Sequence, residues 1–214
     1  MRIGLDFDNT IVSYDALFYK VAREQDLVPL VTPVNKLVVR DYLRKTGQEK
    51  RWTLMQGDVY GARMDEAQAY FCVIDFIRQA KIEGHTLAIV SHKTRHPFAG
   101  PQYDLHAAAS GWIAHHLLSD GEQLIPTTQI FFELTKQDKI ARIADFACDV
   151  YIDDLPEILL AEGFPITTEQ RYAKQFSLAS GLKYCPTNFS IFTSSPTSSF
   201  VSRIAVSQGA SPLS

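Results

Sequence analysis

Apolar residues along this chain gather into a few short runs, and the stretches between them carry a helical rhythm. The amino terminus reads Arg2-Ile3-Gly4-Leu5-Asp6-Phe7-Asp8-Asn9-Thr10-Ile11-Val12, a β-prone run that ends in acids and a turn. Three more runs follow at Thr86–Val90, Gln129–Phe132 and Asp149–Ile152. Each is short, mostly apolar and bounded by polar or turn residues, the pattern of strands buried on both faces of a parallel sheet. Between Asp65 and Glu83, Ala69, Cys72, Val73, Phe76, Ile77 and Ala80 recur at three- and four-residue spacings, which predicts an amphipathic helix stopped by Gly84. Leu105–Leu118 and Asp138–Phe146 predict shorter helices of the same kind. Strands alternating with helices imply an α/β fold, a doubly wound parallel, Rossmann-like sheet that binds ligands beyond the carboxyl ends of its strands.

The rhythm lapses from Val12 to about Met64. Helices are expected near Ala16–Gln25, Val34–Lys45 and Lys50–Gln56, punctuated by Pro29, Pro33 and Gly47. The expected division is a core of 1–12 and 65–186, a small helical cap of 13–64 inserted after the first strand, and a tail of 187–214. Nine serines fall between Ser190 and Ser214, with little apolar periodicity, so the tail is expected to be disordered. No convincing strand is seen between Leu160 and Ser214.

Composition narrows the function classes. The 214 residues suffice for one α/β domain with a modest insertion, and 46% of them are hydrophobic. A net charge of −3 argues against a nucleic-acid binder working by counterion release, yet leaves small anionic substrates open. Cys72, Cys148 and Cys185 form no CxxC pair, and buried free thiols are expected at Cys72 and Cys148. No run approaches the ~20 apolar residues of a membrane helix, and Asp6 and Asp8 interrupt the first apolar stretch, so a cytoplasmic location is expected.

The strand ends carry the chemistry. Asp6, Asp8 and Thr10 follow the first strand at two-residue spacing, which in an extended segment puts them on one side. Ser91, His92, Lys93 and Thr94 follow the second strand, Lys136 and Lys139 head the helix after the third, and Asp153 and Asp154 end the fourth. Parallel topology brings these ends to one edge. Three or four carboxylates there call for a hard cation with oxygen ligands, such as Mg²⁺. A serine hydroxyl, turn N–H groups and a lysine suit a phosphoryl group.

This set resembles the four motifs of the haloacid dehalogenase superfamily, over Arg2 to about Glu162. Asp6-Phe7-Asp8-Asn9-Thr10 is similar to the family's DxDx[TV] motif, Val90-Ser91 to its second, Lys139 to its third and Tyr151-Ile152-Asp153-Asp154 to its acidic fourth. Lys136, one turn before Lys139, is the alternative for that lysine. The resemblance implies a Mg²⁺-dependent phosphatase-type hydrolase acting on a small phosphorylated substrate through an aspartyl-phosphate. Asp6 would be the nucleophile and Asp8 the general acid and base. Ser91 and Lys139 would hold the transferring oxygens, with Thr10, His92 and Lys93 near the substrate. Magnesium would be held by Asp6, Asp8 through its carbonyl, Asp153 and Asp154. The alternatives are a phosphomutase, a haloacid dehalogenase with the same nucleophile, or a non-catalytic binding or regulatory module.

Overall fold

A computed structural model describes residues 1–167 and, by backbone alone, 171–173. The tail of 187–214 lies outside the described residues. In chain order the strands are β1 (Arg2–Leu5), β2 (Val12–Ser13), β3 (Gln68–Ala69), β4 (Thr86–His92), β5 (Leu118–Ser119), β6 (Glu122–Gln123), β7 (Ile130–Glu133), β8 (Val150–Asp153) and β9 (Arg171–Ala173). The α-helices are α1 (Asp15–Glu24), α2 (Lys36–Lys45), α3 (Glu49–Gly57), α4 (Val73–Ile82), α5 (Leu105–His116), α6 (Lys136–Asp145) and α7 (Pro156–Leu159).

The main sheet has the order β7-β4-β1-β8-β9, and all its pairings are parallel. The doubly wound α/β reading therefore holds. β9 corrects one expectation: a strand does follow the fourth acidic motif, with Tyr172 opposite Ile152. It is three residues long and Arg171 gives it little apolar signature, so periodicity does not reveal it.

Gly4 sits at the centre of the sheet. A Cβ there would come within 2.6 Å of the Tyr151 ring and 2.8 Å of Cys148 Sγ, so only glycine lets Tyr151 lie across β1. The Tyr151 hydroxyl then donates to the Val90 carbonyl at 2.6 Å, tying β8 to β4 across β1.

The expected helix over Asp65–Glu83 begins later than its periodicity suggests. Met64–Glu66 form a single 3-10 turn, Gln68–Ala69 pair antiparallel with Val12–Ser13, and Cys72 adopts a left-handed φ of 66° before α4 starts at Val73. Ala69 and Cys72 share the apolar spacing of the helix but not its backbone. Cys72 and Cys148 are both half-buried, against the expectation of buried thiols, and Cys148 is free.

The β2–β3 pair brings Ser13 and Gln68 together, so residues 14–67 leave and rejoin the sheet at one neck. They contain α1, α2, α3, a π-helical turn at Asp58–Ala62 and the 3-10 turn. Asn35 caps α2, its side chain accepting from the N–H groups of Leu37 and Val38. The apolar side of this insertion, including Leu17, Phe18, Val39, Trp52 and Met55, joins one continuous core with Leu5, Phe7 and Trp112.

Candidate active site

Register sets the site. Leu5 lies opposite Ile89 and Ile152 on its two neighbours, so the next residues outward are Asp6 on β1, Val90 and Ser91 on β4, and Asp153 on β8. The Asp6 N–H still donates to the Ile152 carbonyl at 2.9 Å, and beyond it the chain coils. The Phe7 carbonyl accepts from the N–H groups of Ile11 and Val12 at 3.0 and 3.1 Å, with Asn9 at a φ of 59°. Asparagine tolerates that left-handed backbone.

Asp6 is buried. Its Oδ1 accepts from Ser91 Oγ at 2.8 Å and from Lys139 Nζ at 2.7 Å, and no described residue donates a hydrogen bond to its Oδ2. Lys139 lies in the first turn of α6, which is capped by the Thr135 side chain accepting from the Asp138 N–H. Helical side chains lean toward the N-terminus, so Lys139 reaches back to the sheet edge. There it bridges Asp6 and Asp153 Oδ2, each at 2.7 Å. Asp153 Oδ1 accepts from the Leu155 N–H at 2.8 Å.

The electrostatics follow from this crowding. Burial, together with the charges of Asp153 and Asp154, pushes Asp6 up to about 7 even though Lys139 pulls it down. Asp154 rises to about 6, first through burial and then through Asp153. Burial works against the Lys139 ammonium, but Asp6 and Asp153 outweigh it and hold its pKa above the ordinary lysine value. Carboxylate oxygens of Asp6, Asp153 and Asp154 all lie within 4.8 Å of one another. An all-oxygen set that is short of positive charge fits a hard divalent cation such as Mg²⁺.

Asp8 has a different environment. Lys93 Nζ donates to both of its carboxylate oxygens at 2.8 Å, and the Tyr14 hydroxyl donates to Oδ1. Burial would raise its pKa, but the Lys93 ammonium and these hydrogen bonds win and hold it below the usual carboxylate value. Tyr14 itself is pushed well above the ordinary tyrosine value by burial and by Asp8, so it stays a donor. The Asp8 carboxylate is thus held by a buried cation and a hydroxyl, and it is not one of the three carboxylates that could share a metal.

The remaining expected residues divide. Asp6, Asp8, Ser91, His92, Lys139 and Asp154 line a cleft of about 180 Å³, together with Asn9, Lys136, Leu155 and Ile158. Thr10 is fully buried within the turn, and Lys93 is buried beneath Asp8; neither lines the cleft. The His92 imidazole contacts the Leu134 carbonyl at 3.1 Å. Lys136 pairs with Glu157 at the exposed rim, so Lys139 is the lysine that reaches the strand ends.

Three residues of the insertion went unread in the sequence. Tyr14 holds Asp8. Lys36 Nζ lies 5.5–5.7 Å from the ring centres of Tyr14, Phe18 and Tyr60 and 3.4 Å from Asn9 Oδ1. Tyr60 also lies 5.3 Å from Lys93 Nζ, so its ring faces two ammonium groups. The spacing of Tyr14 and Phe18, one helical turn apart, was the available signal, but it reads equally as an ordinary core stripe.

No protein-family model and no curated protein matches the chain. Among solved structures it is similar to a provisionally named beta-phosphoglucomutase from Thermotoga maritima, at 12% identity over 84% of this chain and 88% of that one, with a TM-score of 0.48. An archaeal beta-phosphoglucomutase from Pyrococcus sp. strain ST 04 shares 14% identity over 83% and 89%, with a TM-score of 0.45. A haloacid dehalogenase-like family hydrolase from Xanthomonas campestris shares 12% over 85% and 87%, with a TM-score of 0.43. Similarity this distant assigns no activity.

Proposed function

We propose that this protein is a Mg²⁺-dependent hydrolase of small phosphate monoesters that works through an aspartyl-phosphate on Asp6. The observation that carries the reading is the state of Asp6. It is a buried carboxylate gripped on one oxygen by Ser91 and Lys139, and its Oδ2 is free of donors among the described residues. Asp153 and Asp154 stand within reach of a shared cation.

The cation, when bound, would offset the carboxylates and polarise the phosphoryl oxygens. Asp6, Asp153 and Asp154 would hold it. In the first step an Asp6 oxygen attacks phosphorus, the bond from phosphorus to the leaving oxygen breaks, and that oxygen takes a proton from the Asp8–Lys93–Tyr14 group. In the second, the same group takes a proton from water, the water oxygen bonds to phosphorus, and the Asp6–phosphorus bond breaks. Ser91 and Lys139 orient and neutralise the phosphoryl oxygens, the positioning and electrostatics that dominate this chemistry. The ionised Asp8 of the resting site is ready for the second step; for the first it must take up a proton as substrate binds, and Lys93 and Tyr14 hold it in place.

The test is turnover of an aryl phosphate with Mg²⁺, with EDTA, and by Asp6→Asn, with intact-mass detection of a phosphoryl adduct. Activity is expected only for the parent with metal. Parent-like turnover by Asp6→Asn, or full activity after exhaustive chelation, would overturn the reading. A dehalogenase would instead act on a 2-haloacid without metal.

A further inference from the structure

Resting on that reading, we infer that Lys36 is a specificity residue that recognises a second anionic group on the leaving-group side of the substrate. Four lysines approach the strand ends, and three are engaged by the protein itself, Lys136 by Glu157 at the rim. Lys139 bridges Asp6 and Asp153, and Lys93 holds both oxygens of Asp8. Lys36 makes no ion pair with any described residue. Its ammonium rests on the faces of Tyr14, Phe18 and Tyr60, and its one hydrogen bond among the described residues is the long contact to Asn9 Oδ1. Ring faces hold a cation in place without using its N–H donors. An ammonium so held, with donors to spare, is built to meet an anion.

Its position says which anion. The transferring phosphoryl group is served by Ser91, Lys139 and the carboxylate trio on the β4, α6 and β8 side. Lys36 comes from the insertion rather than from the sheet; it does not itself line the cleft but touches Asn9, which lines it beside Asp8. Asp8 is the residue that meets the leaving oxygen, so Lys36 belongs with the leaving group. The backbone supports this placement: the Lys36 N–H donates to Asp15 Oδ1 at 2.8 Å, anchoring the start of α2 to α1. The substrate class is therefore a phosphate monoester whose alcohol portion bears a carboxylate or a second phosphate.

Two matched pairs test this: ethyl against carboxymethyl phosphate, and propyl phosphate against propane-1,3-diyl bisphosphate, each with Mg²⁺. The parent should favour the charged member of at least one pair by about tenfold or more in kcat/KM, mainly through KM, as expected of a charged hydrogen bond. Lys36→Met should collapse that ratio toward one, and Lys36→Arg should keep most of it. Equal use of both members of both pairs by the parent overturns the inference and leaves the hydrolase reading standing. So does a Lys36→Met protein that retains the ratio. Where Lys36→Met fails to fold, the parent ratio and Lys36→Arg still decide. Absence of turnover on all four esters overturns the proposed function and this inference with it.

Discussion

Replacing Asp6 by asparagine should make the metal-free protein more stable while destroying its activity. In the folded state Asp6 titrates near 7, against an ordinary value of 3.8. Between those values the folded protein keeps a proton that the unfolded chain has released, so stability falls as pH rises from about 4 to about 7 and then levels off. A gap of about three units bounds the loss at about 4 kcal/mol. Asparagine keeps a carbonyl oxygen able to accept from Ser91 and Lys139 but carries no charge. It does weaken one partner of Lys139, which retains Asp153. The expected net gain at pH 8 in EDTA is about 1–4 kcal/mol, shrinking toward zero at pH 4.5, where the folded parent is already protonated. Urea unfolding of both proteins at the two pH values, with m-values compared, measures it. Millimolar Mg²⁺ should narrow the gap, because only the parent keeps the full carboxylate set. A variant less stable than the parent at pH 8, or a difference that ignores pH, would refute the electrostatic account of this site.

Asp8→Asn should behave in the opposite way. It leaves the buried Lys93 ammonium without a carboxylate and should cost about 3 kcal/mol or more at pH 7. Because the folded pKa of Asp8 is depressed, that stability is present above about 3.8 and is lost as pH falls through the lower folded value, so the penalty should fade in acid; the same unfolding series reads it. Lys139→Met should abolish turnover, whereas Lys136→Met should leave the melting temperature at the parent value, since its pair with Glu157 is exposed. Gly4→Ala should destabilise by about 1–3 kcal/mol in thermal or urea melts, through the clash with Tyr151 and Cys148.

The parallel sheet was legible because each buried strand is an apolar run that ends abruptly in polar residues. Those endings also made the catalytic edge legible: Asp6, Ser91, Lys139 and Asp153 come together because parallel register leaves them no other place. Side-chain direction beyond the strand ends was not legible. Lys93 is expected near the substrate from its place just past Ser91, yet its stem runs inward and its charge is buried against Asp8. Lys36 is 30 positions from Asp6, inside an insertion whose fold has no strong period, so nothing local ties it to the site. α4 misled for a simpler reason: Ala69 and Cys72 hold helical spacing, but a left-handed Cys72 and the pairing with Val12 break the helix before it begins. β9 was hidden by its brevity.

The Tyr14–Asp8 contact ties the insertion to the catalytic edge, since Tyr14 lies one residue past Ser13 and Asp8 lies in the turn after β1. Tyr14 and Lys36, both from the insertion, lower the proton affinity of Asp8. Linkage makes that influence mutual. A proton arriving on Asp8 weakens the contacts of Tyr14 and Lys36 by the same free energy with which those contacts favour its ionised form.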